Sequence, residues 1–194
     1  FNGDTYMTSF SSILTSLVNG TYMFANCGIT VFTVPLPSLE NGSNMFYYAK
    51  IGEWSIDMPR LTNGTSMYYG CPMSSFTALL PLLQSGYRMF RNNAVPAVDF
   101  VFNVAELPSL TDGREMFNYT RLREYSCNMP MLTDGTSMFA YTTMMASFSA
   151  AIPSLTTGAS MFADSGITIF NSELPALSNG SGMFSGSHIP FWNK

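Results

Sequence analysis

Charged side chains are scarce in this chain, at 10% of its residues, against roughly 25% in an ordinary soluble domain. Uncharged Ser, Thr, Asn and Gly must therefore supply most of the wet surface, which suits a secreted or surface-exposed repeat protein better than a cytosolic enzyme. The net charge of −4 leaves no basic field for nucleic acid or an anionic membrane. The sole histidine is His188, and it has no recurring Ser or Cys partner, so a nucleophilic dyad is not expected. Cysteines number three, Cys27, Cys71 and Cys127, an odd count at wide spacings that implies neither a disulfide framework nor a metal site. Cys27 and Cys71 hold one repeat position two coils apart, which places them roughly 10 Å from each other, beyond bridging distance. Buried free thiols are expected.

Long apolar runs are also missing. Stretches such as 78–83 fall far short of the roughly 20 residues that span a bilayer, and no membrane insertion is expected. The chain opens in mid-repeat without Met or a signal-peptide pattern, which reads as a portion of a longer protein. The acidic residues are scattered, Glu53 and Asp57 being a typical pair, and read as a solvated face. No Lys-Ser or Lys-Thr follows the recurring Asn-Gly, so phosphate loops are excluded. No enzyme activity, cofactor or metal is expected.

What the sequence does have is repetition. The pattern Gly-x-x-Met-[Phe/Tyr] begins at Gly20, Gly42, Gly64, Gly86, Gly113, Gly135, Gly158 and Gly180, at intervals of 22, 22, 22, 27, 22, 23 and 22 residues. A fixed period of this size marks an array of coils, none of which buries its apolar face alone. The expected anchors are Met23, Phe24, Met45, Phe46, Met67, Tyr68, Met89, Phe90, Met116, Phe117, Met138, Phe139, Met161, Phe162, Met183 and Phe184. A second aromatic column follows at Phe10, Phe32, Trp54, Phe76, Tyr125, Phe148, Phe170 and Trp192, with Val98 in the fifth coil. Three residues before each stands an apolar side chain, Val95 in the fifth coil, and just after each a small polar one, from Ser11 to Asn193.

Alternation around these anchors predicts one short strand per coil, stacked in parallel on its neighbours. The prolines Pro37, Pro59, Pro81, Pro108, Pro130, Pro153 and Pro175 end the strand, since proline cannot donate to the ladder. Before every motif glycine stands Asn, Asp, Ser or Thr, the N-cap set, which predicts a helix of one or two turns opposite the strand. The glycine itself points to close packing or a tight turn. The expected fold is thus an α/β repeat solenoid of about nine coils of about 22 residues, a single array over 1–194 with an insertion at 99–106.

The unit resembles the BspA-type leucine-rich repeats and the related Met-Phe surface-protein repeats. Leu107-Pro108 through Phe117, Met67-Tyr68-Tyr69-Gly70-Cys71 and, more loosely, Ala25-Asn26-Cys27 carry the resemblance. Departures are Thr15 in place of Pro, and Ala49, Asn93, Thr120, Thr142, Ser165 and Ser187 at the Cys position. The resemblance implies a surface or secreted module that binds other macromolecules and has no catalytic residues.

Specific function is expected where the pattern fails. Near the long fifth interval lie Phe100, Phe102, Arg88, Arg91, Arg114, Arg121 and Arg123, a residue set typical of interface hot spots. They form either a recognition patch for a protein or glycan, or a bulge whose apolar residues refill the core at Val98. Regular hydroxyl rows suit ice or carbohydrate, but Glu53, Glu124, Ile169 and Phe191 spoil the flatness such surfaces need. Two functions remain open: an adhesin, extracellular, at the cell surface or on a virion appendage, or a filament subunit that self-associates end to end, with Trp192 and Lys194 as a minimal cap at one end only.

Overall fold

The computed structural model describes residues 1–93 and 98–189; Val95, Phe191, Trp192, Asn193 and Lys194 lie outside these. Among the described residues there are eight strands of two residues each and no helix. The strands are β1 (Ser9–Phe10), β2 (Val31–Phe32), β3 (Glu53–Trp54), β4 (Ser75–Phe76), β5 (Val101–Phe102), β6 (Glu124–Tyr125), β7 (Ser147–Phe148) and β8 (Ile169–Phe170). They pair in parallel in chain order, as β1-β2, β3-β4-β5 and β6-β7-β8. A second ladder of single parallel bridges runs through Asn19, Asn41, Asn63, Ser85, Asp112, Asp134, Thr157 and Asn179.

The α/β leucine-rich-repeat solenoid is therefore corrected, together with its family resemblance: the segment read as a short helix is a pair of turns. Met23 N–H donates to Gly20 O and Cys27 N–H to Phe24 O, while Tyr22 and Asn26, the third residue of each turn, have φ of 56° and 55°. A positive φ at that position defines a type II turn. Alternate N–H groups then leave the coil. Gly20, Tyr22, Phe24 and Asn26 donate to Asn41, Ser43, Met45 and Tyr47 of the next coil at 2.7–3.1 Å. A helix satisfies its N–H groups within the segment; these turns satisfy them between coils, so the backbone polar groups are paired only when coils stack.

The residues expected as N-caps act as turn formers. Asn19, Asn41, Asn63, Asp112, Asp134 and Asn179 each accept from the N–H two residues on, at 2.9–3.2 Å, the Asx-turn geometry. Each of the seven prolines expected to end a strand takes the second place of a further turn, as in Leu39 N–H to Leu36 O around Pro37 and Leu61 N–H to Met58 O around Pro59. The motif glycine is explained by packing. A Cβ on Gly42 or Gly64 would stand 2.7 or 2.8 Å from the sulfur of Met67 or Met89 in the following coil.

The core is two aromatic columns. The first runs Phe1, Phe24, Phe46, Tyr68, Phe90, Phe117, Phe139, Phe162 and Phe184, with successive rings 5.3–5.6 Å apart and within 9° of parallel. The second holds the strand aromatics, and edge-to-face contacts of the favoured kind join the two. The expected Val98 anchor is also corrected: Phe102 pairs with Phe76, and Val98 is exposed. Residues 99–106 thus contain β5, and the main excess length precedes it.

Where the variable Cys position carries a hydroxyl or thiol, that group donates to a carbonyl of the first aromatic column. Thr120, Thr142 and Ser165 donate their hydroxyls to Phe117 O, Phe139 O and Phe162 O, and the Cys71 thiol donates to Phe46 O at 3.0 Å. Ala49 fills the same position without a donor, and Asn93 there accepts from Met73 N–H instead. All three cysteines are free and buried, and burial pushes each thiol up, Cys127 to about 12. Only the thiolate is nucleophilic. Native chain at pH 8 should therefore resist a thiol-specific reagent, Cys27 labelling first because its cover is the exposed Phe1. Rapid labelling of Cys71 without denaturant would contradict the packing.

Candidate functional site

The type II turns present an outward face whose side chains the stacking does not require. Seven of the ten tyrosines stand on it: Tyr22, Tyr47, Tyr48, Tyr69, Tyr87, Tyr119 and Tyr141. Tyr22, Tyr48, Tyr119 and Tyr141 are exposed and the others half-buried. Tyr47, Tyr48 and Tyr69 form one cluster, with ring centroids 4.8, 5.0 and 5.5 Å apart. Tyr119 and Tyr141 stack at 4.4 Å. Burial, and then the neighbouring phenols, raise the Tyr47 hydroxyl above its ordinary range.

Three of the expected arginines join this face. Arg88 makes a two-pronged pair with Glu115 at 3.0 and 3.2 Å, and Arg91 pairs with the same carboxylate. Arg114 holds Asp112 at 2.8 and 2.9 Å. The Arg88 and Arg114 guanidinium carbons lie 4.6 and 5.0 Å from the Tyr87 ring centroid, both in cation–π range. The coil stack brings these side chains together because Arg88 and Glu115 occupy one repeat position in successive coils, as do Tyr87 and Arg114.

The other four residues expected in the patch are elsewhere. Phe100 is 2% exposed in the core, and Phe102 packs against Phe76, Phe117 and Tyr125. They refill the stack in place of Val98, the second of the two alternatives. Arg121 and Arg123 pair with Asp99 at 3.4 and 2.6 Å beside the strands. The Arg123 hydrogen bond holds the Asp99 carboxyl below its usual range; Asp112 is also lowered, its own burial outweighed by Arg114. A depressed carboxyl stabilises the fold above its unfolded pKa of about 3.9, and that contribution is lost as pH falls through the folded value.

The tyrosine face lies where the period holds, whereas specific function was expected where it fails. The signal was available in residue type: the core columns are nearly all Phe, while the turn positions that point outward carry Tyr. A hydroxyl on the ring suits an aromatic that is half wet. Among the described residues no group of His, Cys, Asp and Glu is arranged to hold a metal, and no helix is long and apolar enough to cross a membrane. No family model, characterised protein or solved structure matches the chain.

Proposed function

We propose that the chain is a non-enzymatic binding module, extracellular or at a cell or virion surface, that engages a protein or glycan partner through its turn face. The observation that carries this reading is the gathering of tyrosines beside Arg88, Arg91 and Arg114. Tyr and Arg dominate interface hot spots, because both offer large contact area and hydrogen bonds, and Tyr does so with few rotatable bonds. Held by Glu115 and Asp112, the guanidinium groups are pre-organised, and ordering them on binding costs less.

Purified chain and the triple variant Tyr48→Ser, Tyr69→Ser, Arg91→Ala should be compared for binding to immobilised fibronectin, collagen and mucin. The chain is expected to bind at least one of these, and the variant to bind it at least tenfold more weakly with its fold retained. Equal binding by the variant, or no binding by the unaltered chain, sinks the reading. End-to-end assembly is the alternative, and the donation of turn N–H groups from coil to coil, extended from one copy to another, would carry it. Light scattering that gives a monomer at every concentration argues against that alternative.

A further inference from the structure

A second order of repetition lies over the first. The strand residue before each anchor reads Ser9, Val31, Glu53, Ser75, Val101, Glu124, Ser147, Ile169, so serine, an apolar residue and glutamate recur every third coil. The two glutamate coils agree over much of their length. Glu53-Trp54-Ser55, Met58-Pro59 and Gly64-Thr65-Ser66-Met67 are matched 71 positions later by Glu124-Tyr125-Ser126, Met129-Pro130 and Gly135-Thr136-Ser137-Met138. The same period appears in the sheet, because strand pairing is interrupted before each of these coils, between β2 and β3 and between β5 and β6.

A shallow cleft opens over each interruption. The first, of about 580 Å³, is lined by Thr33, Ser55, Ser75 and Thr77 hydroxyls, with Val31 and Glu53. The second, of about 310 Å³, has Asn103, Ser126, Val101 and Glu124 in the matching places, with the Asp99 and Arg123 pair at its side. Glu53 and Glu124 are exposed and form no ion pair among the described residues. Two of the residues expected to break the hydroxyl row, Glu53 and Glu124, thus line the clefts.

We propose that the two clefts are equivalent subsites for one uncharged, hydroxyl-rich chain, a neutral glycan. A free carboxylate accepts two neighbouring hydroxyls at once, Ser, Thr and Asn side chains both donate and accept, and the Val31 and Val101 methyls suit the C–H face of a sugar ring. Charge selects against an anion, which meets a glutamate in both clefts. Arg123 is neutralised by Asp99, so a cation is the competing occupant, and polylysine in the test below separates it from a neutral chain. With strands stacked about 4.8 Å apart, three coils separate the subsites by about 14 Å, so a polymer of repeating units reaches both and gains avidity from a single chain.

The test is retention of the full chain on dextran, mannan and a neutral β-glucan, with polylysine and heparin as charged probes. Glu53→Gln and Glu124→Gln keep size and polarity at exposed positions, so melting temperature is expected to stay unchanged. At least one neutral polymer should retain the chain, each single variant should bind it about tenfold more weakly through lost bivalency, and the double variant should not be retained. The turn-face triple variant should be retained like the unaltered chain, which separates this site from the one proposed above. Retention by no neutral polymer, preference for polylysine or heparin, or undiminished retention of the double variant would overturn the proposal.

Discussion

Replacing Phe117 by alanine is expected to destabilise the chain by about 3–5 kcal/mol, the range for a buried aromatic that leaves a cavity. Phe117 is fully buried. Its ring stacks on Phe90 and Phe139, both at 5.4 Å, and meets Phe102 and Tyr125 edge-on at 4.9 and 5.3 Å. Few neighbours can collapse into the hole, because each ring is fixed in its own column by a coil above and a coil below. For a chain of this size the loss corresponds to a fall in Tm of about 6–20 °C in thermal denaturation. Phe1→Ala provides the comparison, since that ring stacks on Phe24 on one side only and is 58% exposed. An equal effect of the two substitutions would mean that the aromatic columns are not what holds the coils together.

Gly166→Ala is expected to be the most damaging change outside the aromatic core. A Cβ there would lie 2.2 Å from the Thr143 carbonyl oxygen and 2.9 Å from its carbon. Both are backbone atoms, which cannot rotate away, so two neighbouring coils must shift at a cost of about 2–3 kcal/mol. Gly64→Ala should cost less: its new methyl meets the flexible end of Met89 at 2.8 Å. Gly52→Ala should be neutral or raise stability by up to about 1 kcal/mol, since the nearest atom is 3.9 Å away and its φ is not positive. Chemical denaturation of the three variants checks the order. A Gly166 variant as stable as the Gly52 variant would contradict the close backbone approach.

The period, the parallel in-register stacking and the buried Met-Phe pairs were legible because a shared core demands the same residue at the same place in every coil. Helix against turn was not. Asn, Asp, Ser and Thr before the glycine suit an N-cap and an Asx turn equally, since both use the side-chain oxygen to accept a nearby N–H. The deciding feature is a positive φ at two places per coil, and Tyr22, Arg88 and Glu115 do not advertise it, because such residues seldom adopt that conformation. Gly182 and Gly186 in the last coil, and Asn26, Asn44 and Asn92 in others, did carry the signal. The register of the fifth coil failed for a different reason. Val98 and Asp99 imitate an anchor and its polar neighbour, and only the backbone pairing of Phe102 with Phe76 decides between them. The patch around Phe100 failed with it, whereas Arg88, Arg91 and Arg114 do share a face with the tyrosines.

Far-UV circular dichroism of the purified chain tests the central claim most directly, namely that type II turns rather than helices close every coil and hand their N–H groups to the next. A spectrum of sheet and turn, without the helical double minimum and lost in one transition on heating, is the predicted result. A helical double minimum in the folded chain would contradict it.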